Sequence, residues 1–538
     1  MLATAALFAG AADSTLSRSA RAHSNHALRG GTLRLLSHDS DFASVDPGLA
    51  DDTLSWSMLY TTQMLLMNLP ERNGAAGTVL YPEAATTFPT TSRDGKTYTF
   101  HIRPGLRFSD GSPVTAACFR RAWERSLSPK MGAPVGVTDR LQDVVVGANA
   151  FNKGTAQKIS GITARGLTLI FHLTRPYPGL TWVLSNVELG AVKPNMPYTT
   201  TGLNTYPSAG PYYIQSRDVG RSLVEVRNPY YKGSRPANPD KIVWSMNTDE
   251  DQGLLEVEAG QADLDVGSPP PSSNAQLARQ YGINRSRFFV GPTSCVIYEA
   301  LNTSRPPFSN LNYRKAVNWA IDRPSIVRLE GKYASRPTDQ ILVPGVPGFK
   351  PYNLYSIGGA NLAQARKYAP HGIPGTIVVM HSTSPLSVRR AQVIEHDLKQ
   401  IGAHTRDKPV PVSRYYGVLG TRGVDMDIAH AGWCANGFDP YNYINLNFDG
   451  RSIRARNNVN FSYLNSPTLD RQMEAAASLT GSARAQAYQR LDREIMADYC
   501  PWVPEEILNG VFFVSARVKN YAYSKYFGEP FYNALSVG

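Results

Sequence analysis

Strand-like and helix-like segments alternate along the whole of this 538-residue chain. That alternation limits the fold to an α/β or α+β arrangement with mixed layers. Tyr98, Phe100 and Ile102 alternate with Thr99, His101 and Arg103, the period-two pattern of a half-buried strand. Pro104-Gly105 breaks it, Asp110-Gly111 turns the chain, and Thr115 is placed to cap the helix that follows. That helix carries Phe119, Ala122, Trp123 and Leu127 on one face. Gly31 to Leu36 reads as a first strand, and Ile162–Ala164 with Leu167–Leu173 as a hairpin across Arg165-Gly166. Further on, Tyr313, Ala316, Val317, Ala320 and Ile321 form a helical stripe fit for a core. Asp322 is then expected to cap a second helix with Pro324 in its first turn. The length corresponds to roughly three to four domain equivalents, with no short repeat and no low-complexity block.

Charge narrows the function. Lys and Arg number 55 against 43 Asp and Glu, a net +12, yet the cations are scattered and form no basic stripe with interleaved aromatics. A solvated basic surface fits better than nucleic-acid binding. No run approaches the roughly 18 apolar residues of a membrane span. Leu2 to Ala12 is small and apolar, and Ala20-Arg21-Ala22 offers a small-x-small cleavage site. Residues 1–22 are therefore expected to be a signal peptide, truncated because the first positive charge is Arg18. Of four cysteines, Cys118, Cys295, Cys434 and Cys500, one or two bridges can form, and spacing alone does not choose the pairing.

Catalytic signatures are missing. No G-x-S-x-G, H-E-x-x-H, phosphate-binding loop or dinucleotide glycine fingerprint occurs, so no enzyme is expected. The ten histidines are scattered. His396 and His404, eight apart, read as surface residues, and no metal or cofactor is expected. Asp425 and Asp427 read as alternation on a strand that enters the most informative segment of the chain. That segment runs Ala431-Gly432-Trp433-Cys434-Ala435-Asn436-Gly437-Phe438-Asp439-Pro440-Tyr441-Asn442-Tyr443. It puts a Trp face, a Cys and polar side chains on one short stretch, which suits either a pocket wall or a packed strand end with a turn.

Read with other segments, the stretch resembles the family 5 extracytoplasmic solute-binding proteins of ABC transporters, most of all the oligopeptide-binding proteins. The others are Arg103-Pro-Gly-Leu-Arg-Phe-Ser-Asp-Gly-Ser-Pro-Val-Thr-Ala117, Ser208-Ala-Gly-Pro-Tyr-Tyr-Ile214, Arg227-Asn-Pro-Tyr-Tyr-Lys-Gly233 and Ala259-Gly-Gln-Ala-Asp-Leu-Asp265. Pro307-Phe308 leading to Arg314 through Arg323, and Ala497 to Pro504, complete the order. The resemblance implies a two-lobed periplasmic-binding-protein fold with lobes joined by two crossing strands. Lobe I would comprise 23–65, 190–290 and 495–538, an inserted subdomain 66–189, and lobe II 291–494. Closure about a hinge around a solute is the implied motion. It also implies a Cys295–Cys434 bridge, which would close a loop of about 139 residues, worth about 4–5 kcal/mol in the chain-entropy model, and an oxidising, extracytoplasmic location. Cys118 and Cys500 are left as small buried hydrophobes.

In the family an extended peptide lies between the lobes and pairs its main chain with a strand edge, as in β-augmentation. Its ammonium group is held by an aspartate two positions after the Cys. Asn436 stands there instead, keeping an acceptor oxygen but no charge. Asp439, in an Asp-Pro turn, and Glu505-Glu506 are the candidate replacements. On a regular strand those glutamates would face opposite ways, so at most one could meet a ligand. Trp433, Cys434, Tyr298 and Asn302 complete the candidate binding set. The expected function is capture of a short peptide and delivery to an ABC permease by a monomeric receptor. Alternatives are a receptor for an oligosaccharide, an opine-like compound or a metal chelate, a signalling receptor, or a hydrolase reusing the fold.

Overall fold

The computed structural model describes residues 29–50, 52–133, 141–434, 437–456 and 458–538. Asn436 and residues 1–22 lie outside them. Among the described residues the first elements are β1 (Thr32–Leu36) and the helix Thr53–Thr62, whose first turn is closed by the Asp52 carboxylate accepting from Ser55 N. Two short strands, β2 (Met67–Asn68) and β3 (Tyr81–Pro82), lead into a four-stranded sheet. Its members are β4 (Thr90–Thr91), β5 (Thr97–His101), β6 (Ile162–Arg165) and β7 (Thr168–His172), in the order β4-β5-β7-β6. Tyr98, Phe100 and Ile102 are buried as their alternation demands. Thr115 is the cap residue of the helix Ala116–Leu127, and its backbone N–H donates to Cys118 Sγ (3.3 Å). Phe119, Ala122, Trp123 and Leu127 face inward and are buried. The hairpin turns at Arg165-Gly166, pairing Arg165 with Thr168.

The next strands are β8 (Tyr212–Asp218), β9 (Ser222–Arg227), β10 (Lys241–Ser245) and β11 (Leu264–Asp265). They join β1 in a five-stranded sheet ordered β11-β1-β10-β9-β8. β1 runs parallel to both β10 and β11. Trp244 is fully buried there, edge-on to Phe42 and Tyr532. This sheet is the core of lobe I.

β12 (Phe288–Leu301) crosses to lobe II, whose sheet holds β13 (Ser335–Pro337), β14 (Thr376–Ser382), β15 (His404–Val410), β16 (Ile428–Cys434) and β17 (Trp502–Phe513). The order is β13-β17-β12-β16-β14-β15. β12 and β17 pair from Phe288↔Phe513 to Ala300↔Trp502. At one end Phe288, Val511 and Phe513 pack with Leu36, Val257 and Leu277 of lobe I. At the other, Leu301 and Val503 pack with Ile377, Ile394 and Ile428. Two long strands therefore link the lobes.

Helices Leu311–Ala320, Arg323–Glu330 and Pro385–Gln400 cover one face of this sheet. Asp322 does precede the second of them, with Pro324 in its first turn, but its carboxylate accepts from the Ser325 hydroxyl rather than from a backbone amide. No helix among the described residues is long and apolar enough to cross a membrane.

Candidate ligand-binding cleft

The segment from Ala431 to Tyr443 starts as the end of β16. Alternation on that strand puts Ala429, Ala431 and Trp433 on one face of the sheet and His430, Gly432 and Cys434 on the other. Cys434 lies directly opposite Cys295 on β12, and the two form a disulfide. The other edge of β16 is different. β14 pairs with it only at Ile428 and Ala429. From His430 to Cys434, among the described residues, no strand covers that edge. Two tyrosines from the short helix Tyr415–Leu419 stand beside it. Tyr415 Oη donates to the His430 carbonyl (2.6 Å), and Gly432 N donates to Tyr416 Oη (3.3 Å). Tyr416 is 54% exposed, so its hydroxyl caps a backbone donor that another strand could take.

The end of β16 also meets the rest of the chain. Thr53, Trp56 and Glu188 share a cavity of about 40 Å³ with the disulfide. That space holds a few waters and is far below the roughly 300–1,000 Å³ of small-ligand sites. Trp182 packs edge-on against Phe438 (6.4 Å), and Tyr177 against Tyr441 (4.8 Å). Beside these contacts lies a cavity of about 460 Å³, lined on one side by Asp143 and Arg175 and on the other by Tyr441, Asp449, Arg451 and Arg454.

The other candidate residues occupy distinct places. Trp433 is buried, and its indole N–H donates to the Asn442 carbonyl (2.8 Å). Tyr298 is buried and stacked on Trp502 at 3.5 Å. Asn302 ties a turn, donating to Met426 O and accepting from Ser304 N and Oγ. Asp439 caps its turn through Tyr441 N (2.8 Å) and pairs with Arg484 (2.6 Å). Trp433 and Tyr298 share one core cluster, whereas Cys434 lies on the opposite face of β16 from Trp433, and Asp439 and Asn302 each serve a turn of their own.

Glu505 and Glu506 are fully buried, and they face the same way. The register of β12 with β17 jumps from Ile297↔Glu506 to Tyr298↔Pro504, leaving Glu505 as the extra residue of a β-bulge. A bulge turns two consecutive side chains toward one side, which strict alternation does not allow. Both carboxylates bind Arg390 of the Pro385–Gln400 helix, Glu505 at 2.6 Å and Glu506 at 2.5 Å. Glu330 reaches the same guanidinium, and Ser335 Oγ donates to Glu506.

Next to this group, Glu299 and His430 sit opposite each other on β12 and β16, with Nδ1 3.2 Å from Oε1. Burial pushes the Glu299 carboxyl up to about 8 and that of Glu505 up to about 7, the nearby Arg390 opposing both. Burial, with help from Arg390, takes the His430 imidazole down to about 3. Motif reading passed over Glu299, Arg390 and His430. The signal was present: apolar strands at Val296–Leu301, Ile428–Ala431 and Val503–Ile507 are each interrupted by ionisable residues, which a buried strand tolerates only in company.

Residues 79–454 match the family model described as bacterial extracellular solute-binding proteins, family 5 middle. The oligopeptide-binding protein OppA of Bacillus subtilis (strain 168) is 25% identical over 424 residues, 75% of each chain. The dipeptide-binding protein DppE of the same organism is 23% identical over 516 residues, 92% of this chain and 90% of its own. Among solved structures, the clavulanic acid biosynthesis oligopeptide binding protein 2 superimposes with a TM-score of 0.86 at 23% identity, covering 95% of this chain and 96% of its own.

Proposed function

The chain belongs to the bacterial extracellular solute-binding proteins, family 5, and from that premise we propose that it captures a short peptide between its lobes and hands it to an ABC permease. The observation that carries this reading is the edge of β16 from His430 to Cys434, backed by a disulfide and faced by lobe I and the inserted segment. An extended peptide can add to such an edge by main-chain hydrogen bonds, displacing the Tyr416 hydroxyl from Gly432 N. Recognition through backbone leaves side chains free to vary. The cavity beside Tyr441, with arginines on its walls, has the size to accept one of them. The relatives named for oligopeptides and dipeptides support the same solute class.

The partition into lobe I (23–65, 190–290, 495–538), inserted subdomain (66–189) and lobe II (291–494) belongs to this reading. So do an extracytoplasmic location, a monomeric receptor and a permease partner. Asn436 in place of the family's aspartate leaves the peptide's ammonium to another acceptor. Glu505 and Glu506 are both fully buried and bound to Arg390.

Native mass spectrometry of protein purified without refolding tests the reading. A retained mixture of short peptides is the expected result, and a single sugar or chelate would replace the peptide assignment. Small-angle scattering supplies the mechanical half: stripping the solute should raise the radius of gyration, and adding peptide should restore it.

A further inference from the structure

We propose that Glu299, His430 and Glu505 bind one divalent transition-metal cation, of the zinc class, behind the exposed edge of β16. The three groups come from three adjacent strands, β12, β16 and β17, and their ligand atoms lie within 4.8 Å of one another. The second observation is independent of their clustering. Glu299 Oε2 and Glu505 Oε1 are buried carboxylate oxygens without a hydrogen-bond partner, on residues 2% and 0% exposed. Buried acceptors of this kind are rarely left unmatched.

Charge points the same way. Glu299, Glu330, Glu505 and Glu506 converge here, and among the described residues Arg390 is the one Lys or Arg that pairs with any of them. A divalent ion would supply a second cation to this group of acids where solvent cannot.

The donor set favours a particular class of ion. One imidazole and two carboxylates suit zinc and its first-row neighbours, whereas calcium and magnesium take oxygen ligands. The hydrogen bond between His430 Nδ1 and Glu299 Oε1 at 3.2 Å holds the imidazole beside the carboxylate whose Oε2 is unpartnered. The surroundings also fit. Arg390 fixes the second oxygen of Glu505 at 2.6 Å, an outer contact of the kind that orients a metal ligand. The His430 side chain is 21% exposed and gives an ion its way in.

The test is calorimetric titration of the chelator-treated full chain with Zn²⁺, Mn²⁺ and Mg²⁺, alongside Glu299→Gln, His430→Gln and, as a surface control, His396→Gln. Expected are one Zn²⁺ per chain, binding at least tenfold weaker in each of the first two variants, unchanged binding in the control, and no Mg²⁺ response. A Zn²⁺-dependent rise in melting temperature should appear in the wild type and the control only. Absence of stoichiometric Zn²⁺, equal affinity in the cluster variants, or loss in the His396 control would each overturn the proposal. So would a fall in peptide retention by Glu299→Gln without metal binding, which would give the unmatched oxygens to the solute's ammonium. Peptide retention is read on chelated protein, so failure of the metal site leaves the peptide reading standing.

Discussion

Glu225 on β9 shows how one buried acid can set a pH dependence. It is fully buried, with Oε2 2.8 Å from Thr61 Oγ1, and that hydroxyl lies 2.7 Å from the Met58 carbonyl. Burial pushes the carboxyl up to about 8. The Thr61 hydroxyl donates to the carboxyl, which opposes the rise without cancelling it. The folded value lies above the unfolded value of about 4.3, so the stabilising effect is complete below about 4.3 and is lost as pH rises through about 8. Glu225→Gln removes this dependence. Urea unfolding between pH 5 and 9 should show the variant gaining on the wild type by up to about 1.4 kcal/mol per pH unit; parallel curves would refute it. At this scale the sequence speaks least clearly. Nothing in Ser222–Arg227 distinguishes a buried Glu225 from an exposed one except its place in the alternation. Glu505 and Glu506 could not be oriented either, because a bulge is decided by the partner strand.

Elements were far more legible. The alternation at Tyr98–Ile102, the helix after Thr115 and the hairpin at Gly166 fold as their patterns require, since each depends on neighbours in sequence. The ion pairs between elements do not, and they tie together segments distant in sequence. Arg125 binds Asp46 through both guanidinium nitrogens at 2.7 Å, fully buried, and Arg235 does the same work for Glu83. Each joins the segment 66–189, or its flank, to the lobe I elements. Arg454 and Asp143 also meet, at 3.1 Å, but remain 42% and 61% exposed. Arg125→Met should therefore cost about 3 kcal/mol of unfolding free energy by leaving Asp46 buried without its cation. Arg454→Ala should cost less than about 1 kcal/mol. Denaturant melts of the two variants check the contrast, and equal losses would contradict it.

At the scale of the molecule, Gly437, just beyond β16, lies against Trp182 of the segment 66–189. Gly437 has φ +121°, and an added Cβ would sit 2.9 Å from Trp182 Cε3. Gly437→Ala should lower the melting temperature, because the left-handed backbone strain and the contact with Trp182 both act on the folded chain; a thermal melt reads it, and an unchanged melting temperature would contradict it. The two-lobed plan was legible only through the ordered family-like segments, since no local pattern says that β12 and β17 will run together.

That pairing has a consequence for how the protein is made. In the sheet β17 lies between β13 and β12, yet it is the last of the six strands to emerge from the ribosome or translocon. Once Cys434 has emerged, Cys295 can already be oxidised, stapling β12 to β16 while the slot on the far side of β12 is still vacant. A stalled chain ending before Trp502 would thus be correctly bridged and still carry an unfilled strand position, ready to accept the wrong partner. Oxidation is a poor witness to completion in this protein; arrival of the final strand is the step that quality control must sense.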